Sequence, residues 1–134
     1  MSTAQVTYLG ELRTNSKHTR SGATYMTDAP TDNNGKGEAF SPTDTVAVGL
    51  ANCMLTVMGI KARDLEVDLT GSVATVTKTM ASDPRRISKI EVVMELEGNP
   101  SDKNRIILER TANTCPVHYS LHPDIEKDIK FFWR

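Results

Sequence analysis

Four side chains in this 134-residue sequence have the means for covalent or metal chemistry: Cys53, Cys115, His118 and His122. A thiolate is at once a nucleophile, a reductant and a soft metal ligand. A thiol of ordinary pKa is only roughly 3% thiolate at pH 7, so a reactive cysteine needs a cation or a hydrogen-bond donor beside it. Cys53 lies in an apolar run, where a free cysteine also serves as a small buried hydrophobe, and that reading stays open beside the reactive one. Cys115 stands in Thr114-Cys115-Pro116-Val117-His118, a junction where looser packing gives easier access. In a reducing compartment, two cysteines so far apart in the chain point to chemistry, metal binding or burial rather than to a purely structural disulfide. A Cys2His2 zinc site is the metal alternative, because Cys115, His118 and His122 are spaced i, i+3 and i+7. Pro116 and Pro123 disturb that face, and three ligands on one short helix with a distant fourth is not a common structural-zinc spacing. His118 and His122 then read as ordinary, partly exposed residues. No phosphate-binding G-x-x-x-x-G-K-[ST], no G-x-S-x-G elbow and no H-E-x-x-H occurs, so nucleotide and hydrolase readings have no support.

The elements that must hold these groups follow from pattern. Residues 5–28 alternate apolar positions (Val6, Tyr8; Ala23, Tyr25) around Gly10 and Gly22, which predicts short antiparallel strands. Residues 28–37 are dense in turn formers and predict a loop. Ser41-Pro42-Thr43-Asp44 is a helix start, with Ser41 as N-cap, Pro42 at the first helical position, and Asp44 both closing a capping box and sitting at the positive end of the dipole. From Val46 to Ile60 only Asn52 and Thr56 are clearly polar, so this helix must be buried on nearly every face. Residues 65–80 and 87–96 alternate as strands about a turn at Asp83-Pro84-Arg85-Arg86. Ser101 caps a second helix over 102–113, a short helix is expected over 118–122, and 124–134 ends the chain as a strand. The order β-β-α-β-β-α-α-β is an α+β arrangement.

Size and charge bound the rest. One domain spanning 1–134 is expected, since single cores occupy about 100 to 150 residues. Sixteen Lys and Arg against 17 Asp and Glu give a formal net charge of -1, with no basic run of the kind that tracks a phosphate backbone, so no nucleic-acid partner is expected. The N-terminus lacks a signal-peptide pattern and no stretch of 18 uninterrupted apolar residues occurs; a cytoplasmic protein with no membrane partner is the expectation. Few aromatics, 5% of residues, leave a core of aliphatics and methionine, which favours a core shared between subunits.

The two segments GKGEAFSPTDTVAVGLANC and TCPVHYSLHP, with the upstream hairpin RSGATYMTDAP, resemble the OsmC/Ohr superfamily of osmotically inducible and organic hydroperoxide resistance proteins. The resemblance spans essentially the whole chain. It implies antiparallel sheets wrapped around long central helices in an intertwined homodimer, with each active site drawing on both subunits. It further implies that Cys53 is the peroxidatic cysteine and Cys115 the resolving one, joined in a disulfide during turnover, and that Arg20 holds the reactive thiolate. The implied activity is reduction of organic hydroperoxides to alcohols, with no bound cofactor or metal and an external dithiol, such as a lipoylated protein, as reductant. Leu50, Met54 and Val57 would form apolar walls for the alkyl part of the substrate. One position departs from the pattern: the glutamate that follows the helix-start proline in hydroperoxide-resistance members is Thr43 here, and the next residue, Asp44, acidic but shorter, joins Cys53, Cys115 and Arg20 as a candidate catalytic residue, either pairing with Arg20 or only capping the helix. That departure keeps open a second reading, a non-catalytic dimeric protein that binds an apolar small ligand in the same cavity.

Overall fold

The computed structural model describes residues 1–134, which divide into two compact units, Met1–Val46 and Ala47–Arg134.

The first unit is a three-stranded antiparallel sheet of β1 (Ala4–Gly10), β2 (Arg13–His18) and β3 (Thr24–Asp28), in that order. Three strands form where the pattern suggested two, because both 10–12 and 19–22 turn the chain. In the first turn Glu11 and Leu12 take φ of 55° and 62°, the left-handed pair that a two-residue hairpin with native twist requires. A 3-10 turn, Thr31–Asn33, lies within the predicted loop. The alternation in β1 produces no buried face: Val6 and Tyr8 are each 65% exposed.

α1 (Pro42–Asp64) begins in the first unit and continues through the second. Its start is the expected capping box: the Asp44 N–H donates to Ser41 Oγ at 3.1 Å, and the Ser41 N–H donates to Asp44 Oδ2 at 2.9 Å. The helix outlasts its apolar run, and Val67 N–H closes its end on the Ala62 carbonyl at 2.9 Å with Glu66 at φ 57°. The strand expected from Leu65 therefore starts only at Val73. Val67 and Leu69 alternate because both pack against the core from an irregular segment.

In the second unit β4 (Val73–Ala81) pairs antiparallel with β5 (Arg86–Leu96), and β6 (Glu126–Trp133) runs parallel to β5 on its other side. Ile90, Val92, Met94 and Leu96, at period two along β5, are fully buried. They join Ala47, Leu50, Ala51, Met54, Met58 and Ala62 of α1 in one core. The crossover from β5 to β6 carries α2 (Asp102–Ala112), capped by Ser101 Oγ accepting from the Asn104 N–H, and α3 (Pro116–Ser120). Pro116 starts α3 rather than breaking it: Cys115 is the N-cap and Pro116 the first helical residue, which places the short helix two residues earlier than expected.

Burial of α1 on nearly every face is not achieved within one chain. One stripe is buried, while Ile60 is 62% and Val46 42% exposed. By length and hydropathy α1 could span a membrane, as many core helices could; a third of its apolar stretch is buried within the chain.

Candidate active site

The sequence puts Cys53 three residues after Leu50 and one before Met54, and the helix turns these neighbours into the core while leaving Cys53 half-buried on the flank. Cys115 is fully buried at the start of α3. Both cysteines are free, and the Cys53 thiol is near enough to Cys115 to influence its titration. The α3 cap is made by sulfur: Cys115 Sγ accepts the His118 backbone N–H at 3.2 Å. Burial pushes the Cys115 thiol above its ordinary range, and the Cys53 thiol pushes it the same way, against the pull of the His118 N–H. The structure thus sets a partly accessible sulfur near a sequestered, protonated one.

His118 does not supply a cation to this pair. Burial, and then the charge of Lys127, hold its imidazole below the ordinary value and so neutral at pH 7. Cys53, Cys115, His118 and His122 do not gather as three or more metal-ligating groups. His122 is instead exposed, with Nδ1 accepting the Asp124 N–H at 3.0 Å. Of the three expected wall residues, Leu50 and Met54 are fully buried core and line no open wall in the chain, because the helix periodicity that sets Cys53 on the flank sends them under the sheet; Val57, one turn on from Cys53, is half-buried.

In the first unit Asp44 acts as a helix cap. Thr43, at the departing position, lies with its Oγ1 3.3 Å from Ser41 Oγ. Arg20 is exposed in the turn between β2 and β3 and makes no ion pair within its unit. Arg13 is held instead. Its Nη2 lies 2.5 Å from Glu38 Oε2 and 3.5 Å from Asp28 Oδ2, and Asp28 is 1% exposed. The Glu38 N–H donates to Asp28 Oδ2 at 3.0 Å, which is the main cause of an Asp28 carboxyl below the usual range; Arg13 adds to it and burial opposes it. This cluster went unread in the sequence, where the only sign was an acidic residue closing an apolar strand just before Ala29-Pro30.

The family pattern described as OsmC-like protein matches residues 35–130. A solved structure from Psychrobacter arcticus 273-4, a candidate osmotic stress induced and detoxification response protein, is similar over 98% of this chain and 96% of its own, with 52% identity and a TM-score of 0.94. An OsmC-like protein from Mycoplasma pneumoniae shares the fold at 15% identity, TM-score 0.76, over 98% of this chain and 94% of that one. An organic hydroperoxide resistance protein from Legionella pneumophila does so at 18% identity, TM-score 0.67, over 99% and 97%. No curated protein matches. With its pattern matched over most of its length and its fold shared from end to end, the chain belongs to the OsmC-like family.

Proposed function

We propose that this protein is a thiol-dependent peroxidase that reduces organic hydroperoxides to alcohols. The observation that supports the reading is the unlike thiol pair, one sulfur on a helix flank and its neighbour fully buried, in a chain of this family. The Cys53 thiolate attacks the terminal peroxide oxygen. The O–O bond breaks, the alkoxide leaves as an alcohol after taking a proton, and Cys53 becomes a sulfenic acid. The Cys115 sulfur then attacks Cys53, forming the S–S bond and releasing water. An external dithiol returns both cysteines to thiols, being itself oxidised to a disulfide. A lipoylated protein fits that role by family resemblance, as does Arg20 the role of thiolate partner. Asp44 serves the site by fixing the start of the helix that carries Cys53.

A second copy of the chain belongs to the same reading. Gly49, one turn before Cys53, has nothing within 4 Å of where a Cβ would stand, so this glycine does not serve to admit a neighbour from its own chain. A partner helix is what it would admit.

Intact mass after one equivalent of cumene hydroperoxide tests the reading. Wild type should lose two hydrogens, Cys115→Ser should gain oxygen, and Cys53→Ser should stay unchanged and fail to consume peroxide. An unmodified wild type would leave a binding protein with two idle thiols, and turnover retained in Cys53→Ser would overturn the assignment.

A further inference from the structure

The two thiols of the second unit differ most in access. Cys53 is half-buried on the flank of α1, whereas Cys115 is fully buried where α2 gives way to α3. A second copy can cover Cys53 further, but it cannot uncover Cys115. Once the two sulfurs have joined, an external thiolate must strike one of them, and the other leaves. Attack on a disulfide needs room at the struck sulfur, so access selects Cys53.

The departing sulfur carries away the electron pair of the broken bond, and a thiolate in a buried place is costly without a donor. Here the donor stands ready: the His118 backbone N–H lies 3.2 Å from Cys115 Sγ. Burial raises the Cys115 thiol, and the N–H groups of His118 and Val117 pull it the other way. The His118 imidazole, kept neutral by burial and then by Lys127, brings no positive charge. Nor does helix stability account for a sulfur at this position. Sulfur is a weak acceptor, and Ser, Thr, Asp and Asn are the favoured caps.

We propose that reduction of the oxidised pair is one-sided: the external dithiol attacks Cys53, and Cys115 leaves as a thiolate held by the His118 backbone N–H. The inference rests on the peroxidase reading for the origin of the disulfide. One thiolate of the reductant forms an S–S bond with Cys53 as the Cys53–Cys115 bond breaks; Cys115 keeps that bond's electron pair and then takes a proton. The reductant's second thiol gives up its proton and attacks the reductant sulfur bound to Cys53. That closes the reductant's own disulfide and releases Cys53 as a thiolate, so two electrons have passed from dithiol to protein.

The test uses the full-length protein with its disulfide made by diamide, independently of any peroxide. After a short pulse of glutathione, free thiols are blocked with N-ethylmaleimide and the peptides are weighed. Glutathione is expected on Cys53 and maleimide on Cys115; the reverse, an even division, or no Cys53–Cys115 disulfide with diamide overturns the proposal. If the adduct is too short-lived to trap, single-cysteine variants decide: oxidised glutathione should modify Cys53 in Cys115→Ser roughly tenfold faster than Cys115 in Cys53→Ser, and equal rates overturn the proposal. In reduction by dithiothreitol, His118→Pro, which lacks the N–H, should be roughly fivefold slower than His118→Ala, which keeps it. Equal rates in folded variants overturn the donor's part. Should His118→Pro not fold, protection of the His118 amide from exchange in reduced wild type supports that part, and fast exchange overturns it. Attack at Cys115 in a protein that turns over cumene hydroperoxide leaves the peroxidase reading intact. One-sided attack at Cys53 in a protein that consumes none supports this proposal and overturns that reading.

Discussion

Each of the two units is stabilised internally, and by opposite means. Every buried apolar side chain of the molecule lies in Ala47–Arg134, and every buried polar or charged one, Ser16, Thr27, Asp28 and Ser41, lies in Met1–Val46. The second unit therefore has a core in the ordinary sense, a helix stripe on a sheet face. The first has large apolar residues, among them Val6, Tyr8 and Tyr25 of the sheet and Phe40 beyond it, that remain more than half exposed, and its buried groups are the Arg13–Asp28–Glu38 cluster and a helix cap. A lone three-stranded sheet with no covered apolar face is marginal in water. The contrast teaches that the chain carries one piece with an apolar core of its own and one without, for which the cover we propose is a twofold partner.

The sharpest way to break this contrast is Gly49→Glu. Within the chain a Cβ at Gly49 meets nothing within 4 Å, so a loss larger than that of Gly49→Ala points to a neighbour outside it. We expect sedimentation equilibrium to fall from near twice 14.8 kDa, with loss of the folded assembly. A folded dimer retained in that variant would show that α1 is not the seam. Acid gives a smaller effect, confined to the first unit. The folded pKa of Asp28 lies below its unfolded value, so its contribution is complete above the ordinary carboxylate range and is lost as pH falls through the folded value. Amide exchange should show the Glu38 N–H losing protection on acidification before Met94 in β5 does; equal loss at both would mean that the units melt as one. Smallest of the three, Asp44→Asn should cost about 1 kcal/mol in thermal unfolding through the weakened cap, and peroxide turnover should be almost unchanged. A large loss of turnover would give Asp44 a role beyond capping.

What could be read in advance was local or carried by the family pattern. Ser41 with Asp44, and Ser101, announce helix starts because a cap is a contact over three residues. The nearness of Cys53 to Cys115 follows from no spacing in the chain, and only the resemblance brought the two together. The irregular stretch 65–72 imitated a strand because inward-facing Val67 and Leu69 happen to alternate. The start of α3 was misplaced by a proline counted as a breaker when it was a first-turn residue. The Arg13 cluster was invisible for a different reason. Its members meet only through the β2–β3 register and the return of a loop, and charged residues at such positions look the same in sequence whether they are solvated or buried.

The parallel pairing of β6 with β5 bears on how the protein is made. A parallel neighbour can join only after a long excursion of chain, and here residues 97–125, Cys115 among them, form that excursion. On the ribosome the segment holding Cys115 is synthesised before the strand that closes it into place, so the second cysteine has no settled address until the last eight-residue strand emerges. During that interval Cys53 already sits in a completed helix sequence without its neighbour. Until that strand emerges, the surroundings of Cys53 and Cys115 are incomplete.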